Sequence, residues 1–147
     1  LFAFANRTYA GPSAPLIEAA STLVRAGLAP VRPLETSDIL AERYADLGRI
    51  WAAGDVNVDA ANLRLAMNFL MDRSAENWRT VLGALKTDAG PCATAAPITP
   101  TGSLSGTFRW ICEKGVVEGR LLLAPTNPAT IQALNFRFTP TPAPAQQ

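Results

Sequence analysis

The side chains able to do chemistry in this sequence include two cysteines, twelve carboxylates and a spread of arginines, and no histidine. Cys92 and Cys112 are too few for a metal centre without further ligands. A nucleophilic cysteine ordinarily works beside a histidine base, and that partner is missing. The pair is therefore either a disulfide or two buried thiols. The carboxylates fall mainly on helix faces and ends: Asp38, Glu42 and Asp46 read as a solvated ridge, and Asp55 and Asp59 flank a helix break, where capping is the ordinary role. Glu118, Arg109, Arg120 and Arg137 fall on one face of a sheet. Salt-bridged exposure to solvent is the ordinary reading of such a set, and an anion-binding patch is the alternative. No catalytic, cofactor-binding or metal-binding residue is assigned, and no cofactor is implied.

The elements that must position these groups begin with the sheet. Ser105 to Glu113 alternates Phe108, Trp110 and Cys112 against Thr107, Arg109 and Ile111, the period-2 pattern of a half-buried strand. Val116 to Ala124 and Ile131 to Phe138 supply two more strands, the latter with Leu134, Phe136 and Phe138 on one face. A Lys114-Gly115 turn is expected to close the first hairpin, with glycine supplying a positive φ. That turn sets Cys112 across from Val117, Trp110 from Gly119 and Phe108 from Leu121. A slip of one residue would turn the apolar set toward Glu118 and Arg120. A short edge strand is expected within Ala96 to Leu104, where Pro97 and Pro100 suit an edge.

Helices precede the sheet. Ser37 caps a helix over Asp38 to Ala53 with Leu40, Tyr44, Leu47 and Trp51 as its buried stripe, stopped at Gly54. A third helix is expected from Asp59, with Leu63, Met67, Leu70 and Met71 inward. Those methionines read as ordinary core, with a pliant ligand surface as the alternative. Ser74 caps a fourth helix carrying Trp78, Val81, Leu82 and Leu85, ended by Gly90-Pro91. Leu28 to Thr36, with Pro30 and Pro33, reads as a stiff linker, and residues 140–147 as a flexible tail.

A chain of 147 residues is long enough for one domain with a real core. Near-equal numbers of basic and acidic residues leave almost no net field, so neither nucleic acid nor an anionic membrane is implied. No apolar run approaches the roughly twenty residues of a membrane helix. The opening Leu1-Phe2-Ala3-Phe4-Ala5 reads as the middle of something larger, so a fragment with a missing upstream partner is expected.

The stretch LFAFANRTYAGPSAPLIEAASTLVRAG resembles the last strand and C-terminal helix of the class C β-lactamase and penicillin-binding-protein-like serine hydrolases. Ala5, Asn6, Arg7, Tyr9 and Pro12 match the family's strand-to-turn pattern. Leu1 to Tyr9 is strand-like by itself, Ala10 to Ser13 is a breaker cluster with Ser13 as N-cap, and Leu16, Ala20, Leu23 and Val24 make one apolar stripe ending at Gly27. Thr8 and Gly11 stand where the family places polar side chains that help hold the substrate carboxylate, and that role is assigned to neither. The family's Ser-x-x-Lys nucleophile pattern is met by none of Ser13, Ser21, Ser37, Ser74, Ser103 and Ser105. Tyr9 and Tyr44 lack the following Asn, and Lys86-Thr87-Asp88 is not the Lys-Thr-Gly strand.

The resemblance implies a parent that works in the periplasm or outside the cell, which favours the disulfide for Cys92 and Cys112. The expected architecture is α+β. Helices pack on one face of a three- to four-stranded antiparallel sheet, in an element order similar to a cystatin-like roll, after an orphan strand and helix. Residues 1–27 would end a serine hydrolase domain, 28–36 link, and 37–139 form a small accessory domain without catalysis of its own. Residues 1–27 would pack on that hydrolase, and without it would pair two copies or lie on the small domain. The rival expectation is a self-standing module holding a small apolar ligand in a pocket lined by Met67, Trp110 and Phe136.

Overall fold

The computed structural model describes residues 13–28, 33–58 and 64–142. It divides the chain into two compact units, Leu1–Pro33 and Leu34–Gln147. In the first, α1 (Ser13–Arg25) carries Pro15 in its first turn, where a missing N–H costs nothing. The helix stops because Gly27 takes φ +69°, letting its N–H reach the Val24 carbonyl at 3.0 Å and the Leu28 N–H reach Leu23 at 2.9 Å. Leu16 and Leu23 are half-buried, whereas Ile17, Val24 and Leu28 are exposed. The expected strand Leu1 to Tyr9, with Asn6, Thr8 and Gly11, lies outside the described residues, as does the side chain of Ser13.

The second unit is an α+β fold with helices α2 (Asp38–Ala53), α3 (Phe69–Asp72) and α4 (Ala75–Ala89), followed by β1 (Thr99–Gly102), β2 (Ser105–Cys112), β3 (Gly115–Ala124) and β4 (Thr130–Pro140). The strands form one antiparallel sheet in sequence order. The sheet's core face carries Phe108, Trp110, Val117, Leu121, Leu123 and Ile131, all buried. Against it α2 brings Leu40, Leu47, Ile50 and Trp51, and α4 brings Trp78 and Leu82. Aromatic rings join the elements: Trp51 of α2 meets Trp110 of β2 edge-on at 5.3 Å, and Phe69 of α3 stacks on Trp78 of α4 at 5.3 Å.

Capping explains where each helix begins and ends. Ser37 Oγ accepts the Leu40 N–H and donates to the Ser103 carbonyl, tying the start of α2 to the β1–β2 turn. Ser74 caps α4 through the Asn77 N–H. At the C-termini, Lys86 Nζ donates to the Ala52 carbonyl of α2 at 2.8 Å, and Lys114 Nζ to the Thr87 carbonyl of α4 at 2.9 Å. Asp55 accepts from the Asn57 N–H and pairs with Arg79 of α4, closing the turn after α2.

Five expectations are corrected. The β2–β3 hairpin turns at Glu113-Lys114, so Cys112 faces Gly115, Trp110 faces Val117 and Phe108 faces Gly119, two residues from the expected register. A two-residue shift keeps every face, so alternation cannot detect it. Gly115 is not a positive-φ glycine here. It is glycine because a Cβ would sit 2.2 Å from the Thr139 carbonyl oxygen of β4. In β4 a bulge places Leu123 opposite Ile131 and Leu122 opposite Ala133, and the extra residue returns Ile131 to the core face shared by Leu134.

The third helix is short. Residues 59–63, with Asp59 and Leu63, lie outside the described residues. Leu65 bridges in parallel to Ile131, with the Ala66 N–H donating to the Ile131 carbonyl and the Ile131 N–H to that of Arg64. That pairing commits residues 64–66 to extended backbone, so α3 cannot begin before the following turn. Phe69 is its buried anchor, while Met67, Leu70 and Met71 are exposed.

Asp46, expected on a solvated ridge, is buried with no exposed surface. It lies one residue before Leu47 on the core side of α2, paired with Arg43 and Arg49. Finally, β4 runs through Pro140 and the Thr141 N–H bonds to the Lys114 carbonyl, so the expected tail is wrong at its first residues, and residues 143–147 lie outside the described residues.

Candidate functional site

Alternation along three strands builds the site. With Phe108, Trp110, Val117 and Leu121 turned into the core, Thr107, Arg109, Glu118, Arg120, Asn135 and Arg137 must stand on the opposite face. The register aligns them in two rows. One runs Thr99, Thr107, Arg120, Asn135 across four strands, and the next runs Arg109, Glu118, Arg137 across three. An open groove of about 640 Å³ lies over these rows.

The electrostatics of the face are uneven. Arg109 Nε donates to Glu118 Oε1 at 3.1 Å, an exposed pair of the kind worth at most about 1 kcal/mol. Arg137 stands opposite Glu118 on β4, yet neither it nor Arg120 has a side-chain partner among the described residues. Asn135 Oδ1 accepts the Arg120 backbone N–H at 2.7 Å, which fixes the amide and leaves its Nδ2 as a donor. Three guanidiniums, an amide donor and the Thr107 hydroxyl thus share one groove with a single carboxylate. The arrangement can bind and orient an oxyanion. It holds no nucleophile–base pair.

The other sequence-selected residues fall elsewhere. Cys92 and Cys112 are joined by a disulfide that ties the segment after α4 to the end of β2. The bond closes a loop with a sequence separation of 20, and restricting the unfolded chain by that much stabilises the fold by roughly 3 kcal/mol. The Cys92→Ala/Cys112→Ala double variant is expected to lose that amount in urea unfolding. Unchanged stability would show that the bond constrains nothing.

Met67, Trp110 and Phe136 do not line a common pocket. Met67 is 90% exposed, whereas Trp110 is fully buried with its ring centroid 6.1 Å from that of Phe136. Trp110 Nε1 donates to the Tyr44 hydroxyl at 2.7 Å, and that hydroxyl donates to the Ala96 carbonyl at 2.6 Å. Burial pushes the Tyr44 phenol above its ordinary range, opposed by the Trp110 hydrogen bond, so the hydroxyl stays protonated and keeps donating.

Sequence reasoning missed the second charged cluster. Arg43 and Asp46 are both buried on α2, and Arg49 and Glu42 complete the chain of ion pairs. Arg43 Nε has no hydrogen-bond partner among the described residues. The available signal was the i, i+3 spacing of opposite charges one residue off the apolar stripe, which reads equally well as surface. Among the described residues no cluster of His, Cys, Asp and Glu is placed to hold a metal, and no helix is long and apolar enough to cross a membrane. Comparison with protein-family models, curated proteins and solved structures found no match to this chain.

Proposed function

We propose that the unit Leu34–Gln147 is a non-catalytic accessory module that follows a β-lactamase-like serine hydrolase domain and supports its stability, substrate access or partner contacts. The observation that carries this reading is the closure of the unit's own core. Its buried cluster runs from Leu40 to Ile131 and draws on α2, α3, α4 and the sheet. A core closed in this way defines a module that folds alone. The α1 helix supports the other half of the reading. Its Ile17 and Val24, with Leu28 just past its C-terminus, are exposed apolar side chains, as a terminal helix would present to a larger domain or to a second copy. The disulfide fits a periplasmic or secreted protein, because such bonds persist in oxidising compartments.

The test compares the full chain with a truncated chain beginning at Pro33, by thermal melting, sizing, and β-lactam and ester hydrolysis. Both are expected to melt cooperatively at similar midpoints, and neither to turn over substrate. A truncated chain that does not fold would merge the two units into one domain. Hydrolysis by either chain would overturn the non-catalytic assignment.

A further inference from the structure

We propose that the groove on the outer face of the sheet binds a small dicarboxylate, with Arg120 and Arg137 as its receptors. Charge complementarity picks out the class of ligand. Three arginines line the groove against the single carboxylate of Glu118, so two positive charges stay uncompensated. Two carboxylates would balance them.

The face also displays how it holds such a group. Arg109 grips the Glu118 carboxylate from the neighbouring strand, and the same cross-strand reach is open to Arg120 and Arg137 on β3 and β4. Those two are diagonal neighbours, with Cα atoms about 7–8 Å apart. Their long planar forks can therefore converge on one small molecule and match a carboxylate bidentately. Asn135 Nδ2, freed by the Arg120 N–H···Oδ1 bond, and the Thr107 hydroxyl lie in the adjoining row to receive the ligand's remaining oxygens. Because the arginines are exposed, each contact is modest, and the dissociation constant should be on the order of 1 mM.

The experiment is a nuclear magnetic resonance titration of the isotope-labelled full chain with succinate at constant ionic strength. The expected result is saturable shifts centred on Arg120, Asn135 and Arg137. The Arg120→Gln/Arg137→Gln double variant is expected to bind at least tenfold more weakly. Glu118→Gln is expected to bind about threefold more tightly, because it removes the competing carboxylate and releases Arg109. Shifts that grow linearly without saturating would mean diffuse attraction and overturn the site. So would unchanged affinity in both variants. Tighter binding of inorganic phosphate than of succinate would overturn the carboxylate assignment.

Discussion

Asp46→Ala is expected to lower the unfolding free energy by about 3–5 kcal/mol, the cost of removing one partner from a buried ion pair. Asp46 is fully buried and Arg43 is 3% exposed, so the substitution takes the buried partner away from a guanidinium that is shielded from water. Among the described residues Arg43 already carries one unpaired nitrogen, Nε, and losing Asp46 would leave Glu42 as its one remaining acidic partner. Arg49 is half-exposed and keeps its charge solvated, so its own loss should cost far less. The distinguishing variant is Arg43→Met/Asp46→Leu, which removes both charges and keeps the branching of the side chain at 46 and most of the length of the one at 43. It should recover most of the lost stability, because apolar replacements of buried pairs are often neutral or stabilising. Urea unfolding of the three variants decides the matter. A loss below about 1 kcal/mol for Asp46→Ala would mean that water reaches the pair.

The second large effect belongs to Trp110→Ala, expected to cost about 3–5 kcal/mol as a core truncation. Trp110 has no exposed surface, and its ring lies near those of Tyr44, Trp51, Phe108 and Phe136. Its loss empties the middle of the core and also removes the donor to the Tyr44 hydroxyl. Trp110→Phe separates the two contributions, since it keeps most of the apolar surface and deletes the N–H. It should lose roughly 1–2 kcal/mol, a smaller core and one hydrogen bond. If both variants lost the same amount, packing around the indole would contribute little and the hydrogen bond would dominate.

Local signals were legible where one element decided its own fate. The α2 helix begins after Ser37 and ends at Gly54 because the cap, the stripe and the left-handed glycine all lie within the helix. The fourth helix and the face alternation of the strands follow for the same reason. The α+β class and the membership of the arginine face were therefore readable.

What failed depended on a distant partner. The hairpin register goes with the close approach of β4 to Gly115, where a Cβ would meet residues 138, 139 and 140, and no local pattern reveals that approach. The third helix gave way to the bridge between Leu65 and Ile131, two residues far apart in the chain. Asp46 looked like surface because a charge beside an apolar stripe is ordinarily solvated, and only the phase of the packed helix places it inward. The groove's rows needed the true register before Asn135 and Thr107 took their places beside Arg120.

Lys86 and Lys114 are the chain's two lysines, and both close the C-terminal end of a helix. Every side-chain amine of the protein is thus a fastener between elements: Lys86 holds α2 to α4, and Lys114 holds α4 to the β2–β3 turn. An acylating reagent, or an enzyme that acetylates lysine, would find no bystander amine on any side chain. Each modification would remove a cation from a helix terminus and loosen the joint behind it. Amine labelling of this protein would therefore report on the integrity of its helix ends.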